Sequence, residues 1–335
     1  MRRSLSLLVF LILTISLFSW SGHDAITYFA LKDILDSLRT EVQITDYSYE
    51  HLDPGPYNPA VDFDDYLGSV IVPQEDRGIF LPLYENRPPV DGKAPAWQIL
   101  VVYSYEPDMG MDQELELSPF QFLGGGSQGM RHMDFRVAFL RVGEATNRVE
   151  HFTQLSKVAW NSEDYYWGLR FMARSLHYLQ DIGQPFHTFP APVIELTKFI
   201  FRPSKWMSVF MNYHYFYDFY IGYRLYREHA PFVQAIQDAP AHTLKSAFLA
   251  AEAQRSFARK RVADVYYEIQ RILRETLEVN YEVYFDVGFF DNLVASGKTE
   301  KLDQLTIEII SEVSSYVKGY LNLMSDYMVQ LDNGE

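Results

Sequence analysis

The chain contains no cysteine among its 335 residues. This excludes disulfides, thiolate metal ligands and a cysteine nucleophile, so any chemistry must draw on imidazoles, carboxylates, hydroxyls or bound metal. Basic charge is scarce as well: 29 Lys and Arg stand against 44 Asp and Glu, a formal net charge of −15. Such a balance argues against a long nucleic-acid duplex as the main partner, because phosphate backbones are held by Lys and Arg. There is no internal repeat and no low-complexity tract. The N-terminal apolar run, Leu5 to Phe18, is broken by small hydroxyl residues and falls short of the roughly 20 residues that a membrane-spanning helix needs.

That run reads instead as the middle of a secretory signal, with Met1-Arg2-Arg3 as its basic start and Ser19 as the small residue before a cut. Cleavage after Ser19 leaves Trp20 as the first residue and removes two arginines, so the mature chain is more acidic still. The expected organisation is a signal peptide over 1–19 and one domain over 20–335, in a secreted or periplasmic protein. With 48% hydrophobic and 16% aromatic residues, the domain has enough apolar mass for one large core.

The hydrophobic periodicity predicts a mainly α fold. Ile26, Phe29, Ala30, Ile34 and Leu38 recur at helical spacing over 24–39, and the same period returns over 134–159, 163–182, 204–227, 243–278 and 302–331. Between them, about 41–131 is rich in Pro and Gly and carries β-prone runs such as Val70-Ile71-Val72 and Leu100-Val101-Val102-Tyr103. This stretch is expected to form loops with a few short strands, an irregular insertion rather than a separate domain.

The chemistry concentrates in Ser175-Leu176-His177-Tyr178-Leu179-Gln180-Asp181-Ile182-Gly183-Gln184-Pro185-Phe186-His187. His177 and Asp181 are four apart on a predicted helix, so they share a face and can grip one cation. Gly183 offers a C-terminal cap and Pro185 stops the helix, which lets the chain turn back and present His187. A second His-x-x-x-Asp pair follows in Asn212-Tyr213-His214-Tyr215-Phe216-Tyr217-Asp218. One such pair is usually an exposed helix pair. Two of them, in segments crowded with Tyr, Phe, Leu and Met, would bury imidazole and carboxylate at a cost of several kcal/mol without a metal or a network. The donor mixture suits zinc. His51, His151, His229 and His242 show no partner pattern and receive no role.

The run from Ser175 to His187 resembles the central metal-binding motif of the zinc-dependent phospholipases C and single-strand-specific nucleases. Asn212-x-His214-x-x-x-Asp218 resembles their second motif, and Trp20-Ser21-Gly22-His23 is similar to their opening Trp followed by a His. With His132 included, the match extends over about 200 residues in the family's ligand order. The resemblance implies a single-domain, multi-helix fold of the phospholipase C and nuclease type, and three zinc ions. Trp20, through its amino group and carbonyl, and His23 would hold one zinc, with Asp181 shared between it and a second. His132, His177 and an upstream Asp would complete the second, and His187, His214 and Asp218 the third. The upstream Asp is assigned to Asp108, in Glu106-Pro107-Asp108, with Asp112 a competitor because 24 residues to His132 is longer than the family's usual separation. Gly124-Gly125-Gly126-Ser127-Gln128-Gly129 in between reads as a lid, a substrate loop or a plain connection.

The implied reaction is phosphate-ester hydrolysis by a metal-activated hydroxide, with Asp108 orienting or deprotonating the attacking water. Phe199-Ile200-Phe201-Arg202-Pro203-Ser204-Lys205-Trp206-Met207 mixes aromatics with cations beside the site, which suits a phospholipid headgroup and transient contact with a membrane surface, or else simple core packing. Two alternatives stay open: a single-strand nuclease or nucleotidase, which needs an aromatic stacking slot, and a non-catalytic exported protein that keeps zinc for folding.

Overall fold

A computed structural model of the chain describes residues 21–53, 66–69, 77–109, 126–137, 140–198, 203–273 and 285–333. The signal segment, Trp20, Asp112, Val70-Ile71-Val72, Gly124, Gly125 and Phe199 to Arg202 lie outside the described residues. The fold is mainly α, with two small antiparallel pairs of strands among the described residues. No described helix is long and apolar enough to cross a membrane.

The centre is the helix Tyr165–Asp181, here α1, in which every residue after the first is buried. A helix buried on all sides must satisfy its polar groups internally. Asp164 caps it, accepting from Trp167 N at 3.3 Å, and also accepts from Thr45 Oγ1 at 2.7 Å and Tyr49 OH at 2.8 Å. The preceding helix Ala145–Asn161, α2, lies antiparallel against it. Ser156 Oγ donates to Gly168 O at 2.8 Å and Ser175 Oγ donates to Val149 O at 2.9 Å. Gly168 makes this approach possible, since a Cβ there would lie 2.9 Å from Trp160 Nε1.

Two arginines of α1, Arg170 and Arg174, are fully buried and meet one carboxylate, Glu106, at 2.6 Å and 2.7 Å. Burial alone would push that carboxyl up, but the two guanidinium charges and their hydrogen bonds reverse this and hold it below its ordinary value. The ion pairs fasten the 3₁₀ turn Glu106–Met109 to α1. This is how Asp108 reaches the same end of the helix as His177.

The remaining elements complete the fold. Helix Ala96–Tyr103, α3, follows the strand pair Glu41–Gln43 and Lys93–Pro95, whose register sets Val42 opposite Ala94. The apolar run Leu100 to Tyr103 is therefore helical, a correction to its β-prone reading. Every residue from Gln98 to Tyr103 is buried, and an unbroken apolar run fits a fully buried helix as well as a buried strand. Gly126–His132 is also helical, so Gly126 to Gly129 do not form the loop expected of them. The expected helix over 134–159 starts later, at Ala145, because Phe135–Val137 and Leu140–Val142 pair as an antiparallel hairpin, with Phe135 opposite Val142. Gly143 ends that hairpin at φ 107°, with no room for a side chain against Met133 O. The first helix spans only His23–Ala30, followed by a 3₁₀ turn Leu35–Leu38. Helices Pro203–Tyr226, Ala247–Leu273 and Glu300–Leu323 complete the body, and short helices at Pro185–Thr188, Val193–Lys198, Ala230–Gln237 and Val287–Ala295 carry too few turns to show a period.

Glu106→Gln should destabilise the fold by about 3–5 kcal/mol, because it leaves two buried arginines without their counter-charge. A group with a depressed pKa contributes stability above its unfolded value, near 4.3, and loses it as pH falls through the folded value. Urea midpoints measured from pH 7 down to pH 3 should accordingly fall more steeply for the wild type than for the variant. Equal midpoints at pH 7 would show that the ion pairs do not hold the turn.

Candidate metal centre

α1 ends at Asp181, and Asp181 is where the chemistry converges. Its side chain is fully buried and meets four imidazoles. Oδ2 lies 2.7 Å from His132 Nδ1 and 3.2 Å from His177 Nε2. Oδ1 lies 3.2 Å from His187 Nδ1 and 3.5 Å from His23 Nε2. Asp108 flanks this arrangement, 3.7 Å from His177 Nε2, 3.8 Å from His23 Nε2 and 3.9 Å from His132 Nδ1. On the far side of His187, its Nε2 lies 2.8 Å from His214 Nε2, which is 2.9 Å from Asp218 Oδ2.

Local folding explains each placement. His23 opens its helix after Gly22, whose φ of 109° suits glycine. That helix is anchored by Asp24, which accepts from Tyr84 OH at 2.9 Å and from Tyr226 OH. His132 ends its helix, and Asp134 N donates to His187 O at 2.9 Å, tying the two histidine segments together. After Asp181, Gly183 is not a left-handed cap, which corrects the expectation: its backbone has no positive φ. Its value is packing, since a Cβ would lie 2.3 Å from Gln254 Nε2 and 2.4 Å from Val313 Cγ2. Gln184 then caps the turn Pro185–Thr188, with Pro185 at its start, and this single turn presents His187. His214 and Asp218 stand one turn apart on Pro203–Tyr226 and are both buried.

These atoms form three groups, each with its ligand atoms within 4.8 Å of one another: His23, Asp108 and His177; His132, His177 and Asp181; His187, His214 and Asp218. All eight described candidates are thus brought together. Trp20 and Asp112 lie outside the described residues.

The donors fit a metal ion. Tetrahedral ligands about 2.0–2.1 Å from a cation stand about 3.4 Å apart, and the contacts around Asp181 and Asp108 span 2.7–3.9 Å. His132 Nε2, His187 Nδ1 and Asp218 Oδ2 are buried yet make no hydrogen bond, although His187 and Asp218 have partners at 3.2 Å and 2.9 Å. Close approach without hydrogen-bond alignment, as at Asp218 Oδ2 beside His214, is what ligands of a shared cation show, while His132 Nδ1 meets Asp181 and His187 Nε2 meets His214 at hydrogen-bond distance. Burial lowers the His132 pKa to about 4, against the pull of Asp181, and lowers His177 well below its ordinary value with help from the neighbouring His23. Both imidazoles are therefore neutral at pH 7, the state that binds metal. Burial also opposes the charged form of His23, but Asp181 and then Asp108 outweigh it and raise that pKa.

Outer partners orient the rings, a supporting layer that the sequence motifs did not single out. His177 Nδ1 donates to Ser104 O at 2.8 Å, which turns Nε2 towards the carboxylates. Gln184 Nε2 donates to Asp218 Oδ1 at 2.8 Å. Of the unassigned histidines, His151 pairs with Asp53 at 3.1 Å and His242 with Glu312 at 3.2 Å, and neither belongs to a metal group. No protein-family model matches the chain, and no curated protein matches it either.

His214→Ala should remove about one metal ion per chain, whereas His177→Ala, which touches two groups, should remove more. Elemental analysis of the purified proteins reads this directly. Unchanged metal content in both variants would refute the grouping.

Proposed function

We propose that the chain is an exported zinc-dependent phosphoesterase whose reaction is the phospholipase C-type cleavage of phospholipid headgroups. The observation that carries this reading is the convergence of five imidazoles and three carboxylates on one buried end of α1. The residues and their order also resemble the zinc-dependent phospholipases C and single-strand nucleases. Three nitrogen and oxygen donor groups without sulfur suit zinc.

Zinc held in these groups supplies positive charge for the phosphate oxygens and acidity to a water beside it. The chain does the rest. Asp108 is the most accessible of the three carboxylates, its side chain 6% exposed against 0% for Asp181 and 2% for Asp218, which favours it as the group beside substrate. Asp108 orients the attacking water and takes its proton on a carboxylate oxygen. Asp181 is closed off from solvent and holds four rings in place. His187, His214 and Asp218 form the group furthest from Asp108 and take the leaving-group side. No protein nucleophile is required, in keeping with the lack of cysteine.

A lipid substrate is supported by Val193 and Ile194, six and seven residues after His187 and 60% and 62% exposed. Adjacent exposed aliphatics this close in the chain to His187 suit transient contact with a lipid surface. The acidity of the chain weighs against nucleic acid in the same comparison.

The deciding assay sets release of phosphorylated headgroup from phosphatidylcholine vesicles against release of nucleotides from single-stranded DNA, with and without chelator. Headgroup release that chelator stops and zinc restores is expected, with His177→Ala, His214→Ala and Asp108→Asn each losing most of it. Preferential release of nucleotides would make the chain a single-strand nuclease, and zinc uptake without either activity would make it a non-catalytic metal protein.

Export is tied to the site through Trp20. As the first residue of a cleaved chain, its α-amino group, with an ordinary pKa near 8, yields its proton readily to zinc, while an amide nitrogen offers no lone pair. Chains starting at Trp20 should bind about one zinc more, and turn over faster, than chains starting at Ser19 or Met1. Equal zinc content across all three would remove Trp20 from the ligand set.

A further inference from the structure

α1 delivers a third polar side chain to the cluster besides His177 and Asp181. Gln180 is fully buried, in a helix whose neighbouring side chains Leu176, Tyr178 and Leu179 are fully buried too. A buried amide in such a place is costly unless both of its ends are used. Both are. Gln180 Nε2 donates to Thr27 Oγ1 at 2.8 Å, and Oε1 stands 2.8 Å from His23 Nδ1. His23 and Thr27 are one turn apart on the same helix, so one amide spans the buried face of that turn.

The two contacts are not independent. The amide gives its nitrogen to Thr27 and its oxygen to His23, and an oxygen there can only accept. In its neutral, metal-binding form His23 therefore carries its proton on Nδ1. Its other nitrogen, Nε2, is the atom that faces Asp181 Oδ1 at 3.5 Å and Asp108 Oδ2 at 3.8 Å.

We infer that Gln180 is a positioning residue that fixes the His23 tautomer through a Thr27-anchored amide, and so sets the metal affinity of the His23, Asp108 and His177 group. This rests on the metal-dependent reading above. His177 gets the same service from a backbone carbonyl, Ser104 O, at 2.8 Å. His23 sits at a helix start, where its ring nitrogen meets a side chain, so its orientation depends on residue type. A helix residue at 180 supports a ligand at 23 because i, i+3 and i+4 share a face: His177 and Asp181 are ligands, and Gln180 completes the stripe.

The test titrates zinc into the metal-stripped full chain with a competing chromophoric chelator, comparing wild type with Gln180→Met, Gln180→Glu and Thr27→Val. Methionine matches the shape of glutamine without its hydrogen bonds. Outer-shell partners of metal-binding histidines contribute about 10–100-fold in affinity, so Gln180→Met should weaken one zinc equivalent by that factor and leave the His187, His214 and Asp218 equivalent unchanged. Glutamate still accepts from Nδ1, and the Thr27 hydroxyl can reverse to donate to it. Gln180→Glu should therefore stay within a few-fold of wild type. Thr27→Val should weaken the same equivalent several-fold, which tests the anchor even if Gln180→Met does not fold. The nitrogen-15 shifts of His23 in labelled protein should show Nδ1 protonated in wild type and a mixture of tautomers in Gln180→Met.

Unchanged affinity in Thr27→Val or Gln180→Met, or a Gln180→Glu variant as weak as Gln180→Met, overturns the role of Gln180. A wild-type chain that takes up no zinc overturns the metal reading itself, and the two failures are thereby distinguished.

Discussion

One buried carboxylate sets the terms for this fold. Asp181 lies at the end of a helix enclosed on all sides, where an isolated charge would be expelled or neutralised. Burial pushes its pKa up, but the surrounding imidazoles, His177 and His132 first, pull it far below the ordinary carboxylate range. Keeping that charge requires positive charge at the same point, held by a cation or by protonated rings, and four histidines from four separate segments reach it. Much of the rest of the architecture serves this requirement. Glu106 fastens the Asp108 turn to α1, the Asp134 amide fastens His132 to His187, and Asp24 fastens the His23 helix through Tyr84 and Tyr226.

Those fasteners share a physical logic. Each is a buried polar group whose partner lies far away in the chain, so each has full strength only when the whole end of the domain is assembled. Arg170 and Arg174 show it most clearly: two cations in the core share one carboxylate from a turn more than 60 residues upstream. Hydrophobic packing brings the helices together without specifying which residues face each other, and the polar pairs add that specification.

The parts legible in the sequence were those with a long period or a fixed spacing. The helices Tyr165–Asp181 and Pro203–Tyr226 follow the predicted spans to within two residues, because each runs for several turns between clear stop signals. The two His-x-x-x-Asp pairs could be assigned to single helix faces for the same reason. Elsewhere the pattern carried two meanings. Leu100 to Tyr103 is β-prone in composition but buried on every side, and full burial erases the alternation that separates strand from helix. Gly126 to Gly129 looked like a loop because glycine disfavours helices, yet tertiary contacts override a propensity of about 1 kcal/mol per residue. Gly183 looked like a cap because glycine is common there, whereas its lack of a side chain is used for contact with Gln254 and Val313.

Gln180 and Gln184 were hidden for a different reason. Both stand inside the motif that carries the ligands, and nothing in a one-dimensional spacing separates a ligand from the group that aims it. Their partners, Thr27, His23 and Asp218, lie 153, 157 and 34 residues away. The sharing of ligands then has an energetic consequence. His177 belongs to two of the three groups, and Asp181 touches at least one ring of each. A cation entering one group draws on lone pairs and negative charge that the next group also uses, so the affinities are coupled and not additive. Coulomb repulsion between neighbouring cations opposes full occupancy, and a carboxylate between them reduces it. For ions held in these groups, the order of entry would therefore depend on the carboxylate at the end of α1, the same group whose burial shapes the fold.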